Sequence, residues 1–122
     1  MKKNTLSGIL VYLENENSRD RVGLLTRSAD QFCFEYAPEY LNKTNIISLG
    51  PEMPLRKEKY LSKILFVPFA DRIPPKHNPA YPKYCESVKI SVDEKDVFVL
   101  LSTLGHRGPS SFVFEGWLSD LI

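Results

Sequence analysis

Seven of the chain's nine prolines fall between Pro51 and Pro82. Proline fixes its own φ and has no amide hydrogen, so this stretch cannot carry a continuous strand ladder or a long helix, and much of it must be loop. The sheet therefore has to be drawn from the residues on either side. Ahead of Pro51 the alternation is clear: residues 7–14 put Ile9, Val11 and Leu13 on one face, and residues 21–26 put Val22 and Leu24 on one face. Phe32, Phe34 and Tyr36 then share a face opposite Cys33 and Glu35. Polar residues 15–20 and 27–30 suit hairpin connections. Together these segments predict a three-stranded antiparallel meander with one wet face. Pro38 ends the third strand and suits the first turn of a short helix through Leu41.

Beyond the prolines the period changes. Residues 83–90 are compatible with a short helix opening at Pro82, with Tyr84, Cys85 and Val88 on one side. Ser91 and Glu94 have capping-box spacing, Asp93 and Glu94 suit the positive end of a helix dipole, and Gly105 supplies a stop. Between them Val97, Leu100, Leu101 and Leu104 form an apolar stripe that reads as core. Residues 110–115 return as a strand with Phe112 and Phe114 on one face, and residues 116–122 form a tail. The expectation is one small α+β domain over residues 1–122. Its antiparallel sheet is a meander plus a returning C-terminal strand, with short helices in the C-terminal half. At 122 residues and 43% apolar content the chain can fill one modest core.

Charge and composition exclude several functions. With 16 basic and 15 acidic residues the formal charge is +1, so no basic field attracts a phosphate backbone and no direct nucleic-acid binding is expected. No apolar run approaches the length of a membrane span, and residues 1–4 are not followed by a signal-peptide core, so a cytoplasmic chain is expected. Cys33 and Cys85 read as reduced thiols in that compartment and lack the spacing of a zinc site. His77 and His106 stand apart from any Asp, Glu or Cys at metal-ligating distance in sequence and read as loop histidines. No Gly-rich phosphate loop, catalytic-loop pattern or nucleophile elbow is present. Neither catalysis, nor a metal, nor a cofactor is expected.

A proline-rich loop is held ready for a partner at less ordering cost than a flexible one. Phe66, Val67, Phe69 and Arg72 are therefore the candidate partner-facing residues. Phe66 and Phe69 equally suit a core plug beneath the sheet, because core and interface aromatics look alike in sequence. Trp117, the single tryptophan, is the other candidate anchor. Its tail either docks on a partner or folds back over its own sheet. Folding back is favoured, since an apolar tail in water is a liability.

Four motifs in order carry a family resemblance. They are Val22-Gly23-Leu24-Leu25 leading to the Phe32–Tyr36 strand and Ala37-Pro38-Glu39-Tyr40-Leu41; Ile47-Ser48-Leu49 with Met53-Pro54-Leu55; Phe66-Val67-Pro68-Phe69-Ala70-Asp71-Arg72-Ile73-Pro74-Pro75; and Val97 through Gly105. Over about residues 5–115 the chain resembles the opening subdomain of HipA-type serine/threonine kinases, the toxins of bacterial toxin–antitoxin systems. The loop Gly105-His106-Arg107-Gly108-Pro109-Ser110-Ser111 departs from the family's Gly-x-Asp-x-x-Gly-Ala, with Arg107 at the Asp and Ser110-Ser111 at Gly-Ala. In that family the phosphate loop, catalytic Asp and metal-holding Asp lie downstream of this subdomain. A freestanding copy resembles the HipS type of small antitoxin of three-component HipBST systems. The resemblance implies a non-catalytic subunit that binds and neutralises a HipA-like (HipT-type) kinase in trans, and through it meets a HipB-like DNA-binding protein. It equally admits a transcriptional co-repressor or scaffold, or an activating subunit of the kinase.

Overall fold

A computed structural model describes residues 5–119. In chain order the elements are β1 (Gly8–Glu14), β2 (Arg19–Arg27), β3 (Phe32–Tyr36), α1 (Pro38–Leu41), β4 (Tyr60–Ser62), α2 (Val67–Ala70), α3 (Tyr81–Ser87), α4 (Val97–Ser102) and β5 (Phe112–Trp117). The strands form one sheet in the order β4-β3-β2-β1-β5, every neighbouring pair antiparallel. This is the expected α+β architecture: a meander, with the C-terminal strand returning beside β1.

The register sorts the side chains. One face carries the rows Phe34, Leu25 and Ile9, then Tyr36, Gly23, Val11 and Phe114, and these apolar residues are buried. The rows of the other face run Leu61, Cys33, Thr26, Gly8 and Trp117, then Glu35, Leu24, Leu10 and Glu115. A β-bulge corrects the expectation that Val22 and Leu24 share a face. Pairing passes from Val11 opposite Gly23 to Tyr12 opposite Arg21, which leaves Val22 with no opposite residue and shifts the phase of β2. Val22 and Leu25 are consequently the buried pair. Gly23 answers a close approach: a Cβ there would lie 2.5 Å from both the Phe34 ring and the Glu35 carbonyl oxygen. The space a side chain would need is taken by Phe34, whose ring meets Tyr36 edge-on at 4.9 Å.

Three further boundaries move. The proline-rich stretch is largely loop, yet it holds a three-residue strand and one helical turn, β4 and α2. Helix α3 starts at Tyr81, with Pro82 in its first turn, and stops at Ser87; Lys89, with φ of 61°, turns the chain away before Ile90. Helix α4 begins at Val97 because Asp96, not Ser91, is its cap, the Asp96 carboxylate accepting from Phe98 N at 3.0 Å. Ser91 and Glu94 instead build the preceding turn, accepting from the amides of Asp93 and Asp96. Phe98, Leu100 and Leu101 are the buried residues of α4, while Val97 and Leu104 are half-buried.

Tyrosine hydroxyls tie the long connection between β3 and β4 to the sheet. Tyr36 donates to the Met53 carbonyl and accepts from Leu49 N at 3.0 Å. Tyr40 donates to the Ile47 carbonyl at 2.7 Å and accepts from Ile47 N at 3.1 Å. Each hydroxyl thus satisfies both a carbonyl and an amide of a loop that has no ladder of its own. Burial of Tyr36 pushes its pKa up to about 12.

Candidate partner-binding surface

Pro68 sits in the first turn of α2, as its fixed φ favours, and this single turn aims its residues in opposite directions. Phe69 points into the core and is 0% exposed. Its ring lies 5.7 Å from Phe34 of β3 and 4.9 Å from Phe114 of β5, bridging inner-face residues of both strands. Phe66 is half-buried, set between Tyr60 at 6.3 Å and Phe69 at 6.5 Å. Val67 faces out at 46% exposure. Of the two readings of Phe69, the core plug is the one its position supports.

Arg72 also works inward. Its Nη1 donates to the Gly105 carbonyl at 2.9 Å, its Nη2 to Ser110 Oγ at 3.1 Å and to the Phe112 carbonyl at 2.5 Å. The guanidinium stacks 4.3 Å from the centre of the Phe114 ring. Its charge is balanced by carbonyl dipoles and a π face, and burial lowers its pKa. The planar fork suits this spread of acceptors, which a lysine could not match. The loop that departs from the family pattern is the one Arg72 holds: Ser110 takes its Nη2, and Arg107 Nη1 pairs with Glu14 at 3.0 Å. A cavity of about 180 Å³ lies between α2 and this loop, lined by Pro68, Arg72, Pro109 and Phe112. That is below the usual range for a small-molecule site, roughly 300–1,000 Å³.

Trp117 closes β5 rather than belonging to a separate tail. It pairs with Gly8, and a Cβ on Gly8 would lie 3.2 Å from its ring, so the indole covers the outer face of its own sheet. Ser119 N bonds Ser7 Oγ at 3.0 Å, while Leu118 is exposed. The rest of the tail, residues 120–122, lies outside the described residues.

Exposed apolar side chains that sequence reading left unnamed lie just ahead of α2. Leu61 on β4 is 61% exposed, Ile64 is 76% exposed and Val67 is 46% exposed. The signal was present in the run from Leu61 to Val67, but sequence does not separate it from the adjoining core residues Leu65, Phe66 and Phe69. Cys33 and Cys85 are free thiols. Among the described residues no helix is long and apolar enough to cross a membrane.

An open five-stranded antiparallel sheet whose inner face is filled by short helices and aromatic loops defines a small α+β domain. The family model described as the HipA N-terminal domain matches residues 10–114, and the chain belongs to that family. A solved structure titled "N-terminal domain of HipA toxin" has the same fold, with a TM-score of 0.60 and 22% sequence identity over 98% of this chain and 100% of that one. A comparison with curated proteins finds no match.

Proposed function

We propose that this chain is a non-catalytic regulatory subunit that docks in trans on a HipA-like (HipT-type) serine/threonine kinase in the cytoplasm and neutralises it. Family membership supports the kinase as partner, since this domain in its relatives is named as part of the toxin. The observation that carries the reading is the exposure of the apolar side chains of Leu61, Ile64 and Val67, in a segment whose Phe69 is locked into the core. Rigid apolar residues in water are what a docking surface requires, and rigidity limits the ordering cost of binding. A HipB-like DNA-binding protein joins through the kinase, as the chain's charge of +1 gives it no field for DNA.

Restraint follows by occlusion of the kinase's substrate or nucleotide entrance, or by favouring a state with misplaced phosphate-binding groups. The two are separated by substitution on the exposed side alone. Ile64→Asp with Val67→Asp leaves the core intact and is expected to weaken binding to the kinase at least about tenfold, a change of 1.4 kcal/mol, in titration calorimetry. Full affinity with unchanged inhibition in that variant would remove these residues from the interface, whereas full affinity with lost inhibition would identify occlusion.

A further inference from the structure

The two edges of the sheet are finished differently. Along β5, Glu14 N donates to Ser111 O at 3.1 Å, so by antiparallel alternation the main-chain groups of Phe112 and Phe114 point away from β1. Those groups are occupied from within the chain. Arg72 donates to the Phe112 carbonyl, Phe114 N donates to the His106 carbonyl at 3.0 Å, and the Phe114 carbonyl lies 2.7 Å from His106 Nδ1. Side chain and loop thus close this edge against strand pairing.

Among the described residues the opposite edge is open. Ser28 N donates to Gln31 O at 2.9 Å and Ala37 N to Val22 O at 2.8 Å, which fixes the alternation along β2 and β3. Phe32 and Phe34 therefore turn their main-chain groups toward β4, pairing with Ser62 and Tyr60. The amide and carbonyl of Leu61 between them face outward. The neighbouring outward carbonyl, of Lys59, is taken by Arg56 Nη2 at 3.0 Å, and the Ile64 amide by Ser62 Oγ at 3.2 Å. What remains is a short window at Leu61, flanked by exposed apolar side chains at Leu61 and Ile64. Its charge is one-sided: residues 56–63 hold Arg56, Lys57, Lys59 and Lys63 against Glu58 alone, in a chain whose total is +1.

We infer that the Leu61 edge receives an extended, acidic segment of a partner protein by strand addition. The segment adds its own N–H and C=O to those of Leu61, turns its carboxylates to the face on which Lys59 and Lys63 flank Leu61, and its apolar side chains to the face of Ile64. Lysines on an edge also serve to keep other strands away. They do so against neutral or basic strands; an acidic one meets them as partners. The inference rests on the reading of the chain as a docking subunit, but its first test needs no kinase.

The test uses isotope-labelled full chain and a capped peptide alternating valine with glutamate, compared with one alternating valine with lysine. Titration of the glutamate peptide is expected to move the amide resonances of residues 60–64 and to slow exchange of the Leu61 amide about tenfold or more. The lysine peptide is expected to leave both unchanged. Leu61→Pro removes the outward donor at an edge position where proline is tolerated, and is expected to abolish the response while the other resonances stay dispersed. Lys59→Glu with Lys63→Glu keeps the backbone and is expected to invert the peptide preference. A response centred on any other surface, equal responses to the two peptides, or none at millimolar peptide would overturn the inference. Kinase binding that survives Leu61→Pro would overturn it too, while leaving the docking function standing.

Discussion

Replacing Tyr36 with phenylalanine removes one oxygen and leaves the ring that packs on Phe34. That oxygen donates to the Met53 carbonyl and accepts from Leu49 N, so its loss breaks two hydrogen bonds and strands two loop groups against the core. A neutral hydrogen bond contributes about 1 kcal/mol net, and a buried group left without a partner costs about 1–3 kcal/mol. With partial rehydration of the Leu49 amide, the expected loss is about 2–3 kcal/mol. For a chain of 122 residues, that lowers Tm by roughly 8–12 °C. Urea unfolding followed by tryptophan fluorescence reads the difference directly. The same hydroxyl has an alkaline signature. In the unfolded chain it ionises near 10.0 and in the fold at about 12, so above pH 10 the unfolded state binds fewer protons and stability falls toward pH 12. The contribution is fully present below pH 10 and is on the order of 1–2 kcal/mol after discounting for nearby solvent. Tyr36→Phe should lose that part of the alkaline slope. A variant within 0.5 kcal/mol or so of the parent, with an unchanged slope between pH 10 and 12, would refute the claim that Tyr36 pins this loop.

Phe69→Ala should cost about 3–5 kcal/mol, whereas Val67→Asp should stay within about 0.5 kcal/mol, both measured by urea midpoint. Asp96→Ala removes the cap of α4 and the partner of Arg27, whose Nη2 lies 3.0 Å from Asp96 Oδ1, and should cost about 1 kcal/mol in the same assay. Arg72→Met orphans the carbonyls of Gly105 and Phe112, and should cost about 2–3 kcal/mol with faster amide exchange across residues 105–114.

Much of the fold is legible because local patterns agree with it. The alternation of Phe32, Phe34 and Tyr36, and Pro38 after it, place β3 and α1 where they occur, since period two and a fixed φ are properties of the chain itself. The bulge at Val22 is not such a property. It depends on how β2 is paired with β1, and in β2 only Gly23, beside it, hints at it. Ser91 and Glu94 have the spacing that marks a helix start, but they spend their oxygens on the turn before, and Asp96 caps α4 instead. The candidate site was half legible. Proline density marked the stretch from Pro51 to Pro82 as pre-ordered, and within it Val67 is exposed. The acceptors of Arg72, however, lie 33 to 40 residues onward, so its internal role appears only once β5 is set beside β1. Phe69 and Ile64 are both apolar residues of that segment, and only the packing under the sheet separates the buried one from the exposed one.

The central claim is met most directly by phosphoryl transfer from ATP by a HipA-like kinase, measured with and without an equimolar amount of this chain. The account predicts that transfer falls when the chain is added and returns with Ile64→Asp and Val67→Asp together. Transfer that is unchanged, or that rises, would contradict it.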